Sequence, residues 1–133
     1  MDSIDSCIIL SGPVVGSSFI NDCKNSKLVL ACHQLRIHET NNTQFYIHVG
    51  SRAIIENTNN VTFAPYSWTF PGLESLFASS DLKADQNGLN FNYTAVDDFN
   101  WLNQNQKSPN WKFLEESERI KWVTEENGEL KTL

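Results

Sequence analysis

A small polar corner followed by an alternating apolar stretch recurs through the first half of the chain. Three aligned copies begin at Ile20, Ile37 and Ile55. An earlier partial copy over residues 5–10 matches residues 25–30. The three aligned copies are thus spaced 17 and 18 residues apart. A repeat of this length, with two or three short strands per turn, is typical of a parallel β-helix.

The corners and the interior can both be assigned from this repeat. Asparagine tolerates the left-handed backbone that a sharp corner needs, and each copy has polar residues there. A small sandwich or barrel is the alternative fold, but hairpin signals such as Asn-Gly are missing from this half. The predicted corners are residues 24–26, 41–43 and 59–61. The predicted interior stack comprises Leu28, Phe45 and Phe63, with Leu30 and Ile47 beside it.

The second half of the chain has a different character. Residues 65–72 are aromatic and bounded by prolines, and a short helix is predicted over 73–80, with some helical character over 115–123. All four tryptophans lie in this half, where they are predicted to pack on the outside of the β-helix or to close one end. We therefore predict one domain, with β-helix turns over 1–68 and an aromatic-rich loop, short helix and extended C-terminal cover over 69–133.

One arginine in the repeat is a candidate functional residue. If residues 31–38 form a strand, alternation places Leu35 and Ile37 on one face and Gln34, Arg36 and His38 on the other. A guanidinium held on a rigid strand is suited to neutralising phosphate charge in the active site of another protein. An ordinary solvated arginine is the alternative interpretation.

Composition and charge narrow the classes of function. The chain has 133 residues, 40% of them hydrophobic, and a net charge of −6, which disfavours nucleic acids and anionic membranes as partners. No apolar run approaches the roughly 18 residues of a membrane span. Three irregularly spaced cysteines predict free thiols in a reducing compartment. No phosphate-cradling GxxxxGK[ST] motif, metal-ligand spacing or cofactor motif is found, so no metal or cofactor is predicted.

Six ordered landmarks resemble the C-terminal domain of the tubulin-binding cofactor C family. Several of them contain tryptophan, and together they are far more specific than any one alone. This resemblance implies a right-handed parallel β-helix with a C-terminal segment packed on it. The landmarks are residues 11–17 (SGPVVGS), 31–38 (ACHQLRIH), 51–56 (SRAIIE), 63–68 (FAPYSW), 96–102 (VDDFNWL) and 108–111 (SPNW).

The resemblance also assigns roles to individual residues. The key arginine of the family's Gln-Leu/Phe-Arg motif falls on Arg36, and Gln34 is a candidate partner contact. His33 stands where the family often has a glutamine that contacts the GTPase in one relative. Phe99 matches an aromatic residue at the GTPase contact. Glu56 follows Arg36 by about one turn, so it is expected either to orient the guanidinium or to contact the GTPase.

The function implied by the resemblance is GTPase activation rather than an enzyme activity of the chain itself. Family members act with cofactors D and E on the tubulin heterodimer and stimulate GTP hydrolysis by β-tubulin, which places them in the cytoplasm and at the cytoskeleton. An Arf-like small GTPase is an alternative partner, and a non-catalytic module binding actin or tubulin is a third possibility. Family members carry an N-terminal helical part and further turns, so this chain is expected to be a fragment or a shortened homologue.

Overall fold

A computed structural model describes residues 1–79, 93, 96–101 and 107–133. Short strands dominate it, with one α-helix, α1 (Leu73–Ser79), and a 3₁₀ helix at Glu116–Glu118 in the described part. The strands are β1 Asp2–Asp5, β2 Ile8–Pro13, β3 Ser17–Lys24, β4 Lys27–Cys32, β5 Gln34–His38, β6 Asn41–Val49, β7 Ala53–Glu56, β8 Asn59–Pro65, β9 Trp68–Thr69, β10 Val96–Asp98, β11 Trp111–Phe113, β12 Trp122–Thr124 and β13 Leu130–Thr132.

The strands wind into two parallel ladders. In the first ladder β1, β3, β5, β7 and β10 pair in that order, and in the second ladder β2, β4, β6, β8 and β11 do so. Successive strands of the chain alternate between the ladders, so each pair of strands completes one turn. The predicted parallel β-helix is confirmed.

The interior is a column of apolar side chains in register. Leu28 pairs with Phe45 and Phe45 with Phe63, and all three are fully buried. The rings of Phe45 and Phe63 stack with their centroids 5.6 Å apart. Leu30 and Ile47 form the next rung, as predicted. Stacking of like residues on successive turns gives the narrow interior its packing density.

A row of asparagines runs along one corner of the β-helix. Asn25, Asn42 and Asn60 have φ of 54°, 48° and 50°, the left-handed region predicted for these corners. The Asn42 amide donates to Oδ1 of Asn25 at 2.6 Å, and the Asn60 amide donates to Oδ1 of Asn42 at 3.3 Å. The Asn25 amide donates to Asp5 and holds the pKa of that carboxyl below its ordinary value.

We expect Asn42→Ala to destabilise the fold by about 1–3 kcal/mol. Alanine disfavours a positive φ, and it cannot form the side-chain hydrogen bonds to Asn25 and Asn60. Asn42→Gly is the matched control, since glycine adopts this φ freely and loses only the hydrogen bonds. Its loss should be smaller than that of the alanine variant, as measured by urea unfolding. Equal losses would show that backbone conformation at this corner contributes nothing.

Two strands from the second half add a turn that the repeat did not predict. Val96 pairs with Ala53 to bring β10 onto the first ladder, and Trp111 pairs with Val61 to bring β11 onto the second. The Trp111 ring meets the ring of Phe63 at 6.0 Å, edge to face. The region predicted as a cover therefore also extends the β-helix and closes its interior.

The C-terminal segment packs on the outside of the second ladder. Trp122 is 2% exposed and its ring meets Tyr46 at 5.0 Å, edge to face. The Trp68 indole N–H donates to Thr124, and β12 pairs with both β9 and β13. The helix predicted over 73–80 is confirmed over Leu73–Ser79 as α1, and residue 80 lies outside the described residues. The helical character predicted over 115–123 is limited to the 3₁₀ turn, because β12 extends to pair with its neighbours.

The three cysteines are free, as predicted, and they differ in accessibility. Cys7 is exposed, whereas Cys23 and Cys32 point into the β-helix. Burial raises the pKa of both interior thiols. Among the described residues no helix is long and apolar enough to cross a membrane.

Native protein is expected to take up one iodoacetamide label, at Cys7, because alkylation needs an accessible thiolate. Protein unfolded in denaturant should take up labels at all three cysteines. Intact mass and peptide mapping measure both values. Rapid labelling of Cys32 in the native protein would contradict its burial.

Candidate functional site

Strand β5 presents Arg36 on the outside of the first ladder. Leu35 and Ile37 are fully buried, whereas Arg36 is exposed, so the predicted alternation holds. Residues 31–38, considered above as a possible single strand, belong to two strands. β4 ends at Cys32, the chain turns at His33, and β5 begins at Gln34. The turn is fixed because the His33 N–H donates to the carbonyl of Gly16 at 2.8 Å.

The Arg36 guanidinium has no hydrogen bond or ion pair with any other described residue. Its register neighbours are Phe19 on the preceding turn and Ile54 on the following turn, neither of which carries charge. Phe19 is 46% exposed and Ile54 is half-buried. The backbone of Arg36 is thus held between two strands, while its charge remains available to an external anion.

Two carboxylates on the strands that follow β5 along the first ladder each contact a basic side chain. Glu56 Oε2 lies 3.2 Å from Nε2 of His38, and Asp97 Oδ1 lies 2.8 Å from Nη2 of Arg52. One turn of the β-helix leads from Arg36 to Ile54 and from His38 to Glu56. The expectation that Glu56 lies beside Arg36 and orients it is corrected: the carboxylate faces the imidazole.

The predicted partner-binding residues lie on or next to strands of the first ladder, before and after the level of Arg36. Gln34 begins β5 two residues before Arg36 and is half-buried. Phe99 follows β10 on the same ladder, is 53% exposed, and donates its N–H to the carbonyl of Ile55. His33 lies at the corner before β5, where its carbonyl accepts from the backbone and hydroxyl of Ser51.

Asp98 fixes the segment that carries Phe99. Its carboxylate accepts from the Ser108 hydroxyl at 2.6 Å and from the Asn110 amide at 2.7 Å. It also accepts from the backbone N–H of Asn100, whose side chain bonds to Asn57 on the adjacent corner. Phe99 is therefore an exposed ring on an anchored turn.

The sequence interpretation missed Phe19 and Ile54 as neighbours of Arg36, and His38 as the partner of Glu56. The spacing of the repeat, applied backwards and forwards from Arg36, leads to Phe19 and Ile54, so the repeat contained the signal. The Arg52–Asp97 pair was not predictable in this way, because Asp97 joins the ladder from outside the repeat.

The site offers a positively charged group that can donate hydrogen bonds to an anion. The described residues include no group of three or more His, Cys, Asp or Glu side chains placed to hold a metal ion. What the surface offers is one uncommitted guanidinium on a rigid strand, flanked by apolar side chains. A planar guanidinium suits phosphate and carboxylate oxygens because it donates two parallel hydrogen bonds.

Comparison with known proteins identifies the family. The Tubulin binding cofactor C family profile matches residues 1–99, which include Arg36, Glu56 and Phe99. The chain belongs to this family. Human tubulin-specific chaperone C is 47% identical over 118 residues, which cover 88% of this chain and 33% of that protein. Arabidopsis thaliana tubulin-folding cofactor C is 43% identical over 118 residues, 89% of this chain and 33% of that protein.

A solved structure from the cofactor C family supports the fold. Tubulin binding cofactor C from Leishmania major has a TM-score of 0.76 and 28% sequence identity, covering 88% of this chain and 78% of that chain. The chain spans about one third of the length of the curated relatives it matches. Strands β11 to β13 lie beyond the part matched by the cofactor C profile.

Proposed function

We propose that the chain is a GTPase-activating domain of a tubulin folding cofactor, and that Arg36 enters the GTP site of β-tubulin as an arginine finger. The observation that carries the proposal is the uncommitted guanidinium of Arg36 on β5. Membership of the cofactor C family supports tubulin as the partner, since relatives carry the names tubulin-specific chaperone C and tubulin-folding cofactor C.

The physical argument concerns charge in the transition state. GTP hydrolysis spreads negative charge over the transferring phosphoryl oxygens, and a guanidinium placed there stabilises it. An arginine finger needs a backbone that is held in place and a guanidinium that is free to enter the partner's site. Two parallel neighbours hold the backbone of Arg36, and no described residue holds its guanidinium. The chain completes the partner's active site and does not bind the nucleotide itself.

The proposed setting is the cytoplasm, where the domain would act on the tubulin heterodimer together with cofactors D and E. Gln34, His33, Glu56 and Phe99 are proposed to contact the partner around Arg36. His33 and Gln34 lie at the start of β5, whereas Glu56 and Phe99 lie on the following strands of the same ladder, level with its other end. Their positions on both sides of Arg36 support this surface.

The test is GTP turnover by tubulin with cofactors D and E, in the presence and absence of the chain. We expect stimulation by wild type and none by Arg36→Ala. Parallel assays with purified Arf-like GTPases and no tubulin identify the partner. If the chain stimulates only an Arf-like GTPase, that GTPase and not tubulin is the partner. Binding to tubulin or actin without stimulated turnover would indicate a non-catalytic module.

A further inference from the structure

We propose that Phe19 and Ile54 are apolar pads that seat this domain on the rim of the partner's nucleotide site, with His38 and Glu56 holding Phe19 in place. The inference rests on the proposed function of Arg36. It assigns the partner a stated chemistry, namely a recessed phosphate anion surrounded by an apolar rim.

Position is the first step. Phe19, Arg36 and Ile54 occupy one register row on three successive turns, with Arg36 in the middle. Strands in a sheet lie about 4.8 Å apart, so the two apolar residues are the direct neighbours of Arg36 on either side in the sheet. Any surface that Arg36 enters must therefore close over Phe19 and Ile54.

Charge complementarity is the second step. Arg52 and Asp97 form an ion pair, and the Glu56 carboxylate contacts the imidazole of His38. The Glu56 and Asp97 carboxylates thus have basic partners of their own, and the guanidinium of Arg36 is left for an anion of the partner. Apolar contact on both sides excludes water from that anion, which strengthens its attraction to the guanidinium.

Support for Phe19 is the third step. Its ring meets the His38 imidazole edge to face, with centroids 4.8 Å apart. Nε2 of His38 contacts Glu56 at 3.2 Å. Besides its proposed contact with the partner, Glu56 therefore acts as a positioning residue for Phe19 through His38, and not through the guanidinium.

The test separates partner affinity from the rate at saturation. For Phe19→Ser we expect the half-saturating concentration in the tubulin GTPase assay to rise about tenfold, because the ring's exposed apolar area is no longer buried on docking. The saturated rate should remain that of wild type, and Phe19→Leu should restore most of the affinity. Glu56→Ala should likewise raise the half-saturating concentration and spare the saturated rate.

Ile8→Ser is the matched control, because Ile8 is 59% exposed but lies on β2 in the second ladder. It should change neither quantity. If Phe19→Ser binds with wild-type affinity while Arg36→Ala is inactive, the proposal that Phe19 and Ile54 seat the domain is wrong. The proposal that Arg36 is an arginine finger would still hold. If Glu56→Ala lowers the saturated rate, Glu56 acts on Arg36, and the proposal that it positions Phe19 through His38 is wrong. Full activity of Arg36→Ala would instead remove the proposed function.

Discussion

Replacing Arg36 by alanine is expected to lower the stimulated rate of GTP hydrolysis by a factor of about 10³ or more, the range found for arginine fingers. At about 1.4 kcal/mol per tenfold change in rate, this equals roughly 4 kcal/mol of lost transition-state stabilisation. The fold should be unaffected, because the side chain is exposed and touches no described polar partner. Single-turnover hydrolysis by tubulin at saturating chain measures the effect.

Two variants make the Arg36 result specific. Arg36→Lys keeps the charge but loses the planar, two-pronged donor, so it should recover only part of the rate. Arg52→Ala removes another exposed arginine from the same region, one whose charge is already paired with Asp97 at 2.8 Å. Its effect on turnover should be small, since this guanidinium is already held by Asp97 and is not available to an anion of the partner. Equal losses for Arg36→Ala and Arg52→Ala would mean that only overall positive charge matters.

The central turns of the β-helix were predictable because their signals are local and repeated. Apolar residues at matching positions of each copy predicted the interior stack, and asparagines predicted the left-handed corners. Each turn contacts mainly the turns before and after it, so pairing partners are set by the repeat length alone. The exposure of Arg36 followed from alternation within β5.

Features set by tertiary packing were not predictable. β10 and β11 pair with β7 and β8 across long intervening segments, and no repeat in the sequence indicates that register. The turn at His33 has no glycine, proline or asparagine to mark it. The partner of Glu56 was misjudged because one turn is shorter than the spacing from Arg36 to Glu56, so that Ile54 takes the position opposite Arg36.

Phe45→Ala is expected to destabilise the fold by about 3–5 kcal/mol, the range for deleting a buried aromatic side chain. Phe45 is fully buried between Leu28 and Phe63 in the central turns. The strands above and below are tied by hydrogen bonds, so they cannot collapse into the space left behind. The midpoint of thermal unfolding should fall by roughly 10–20 °C, and the urea midpoint should fall with it.

Phe19→Ala is the matched control for Phe45→Ala, because it makes the same substitution at a ring that is 46% exposed on the outer side of β3. Its loss should stay below about 1 kcal/mol, as for most surface positions. The two variants also separate stability from function. Phe45→Ala should lower the unfolding midpoint and, below that temperature, retain stimulation of GTP hydrolysis with the wild-type half-saturating concentration. Phe19→Ala should keep the midpoint close to that of wild type and raise the half-saturating concentration. Equal shifts in the midpoint would mean that the Leu28–Phe45–Phe63 stack does not hold the ladders together.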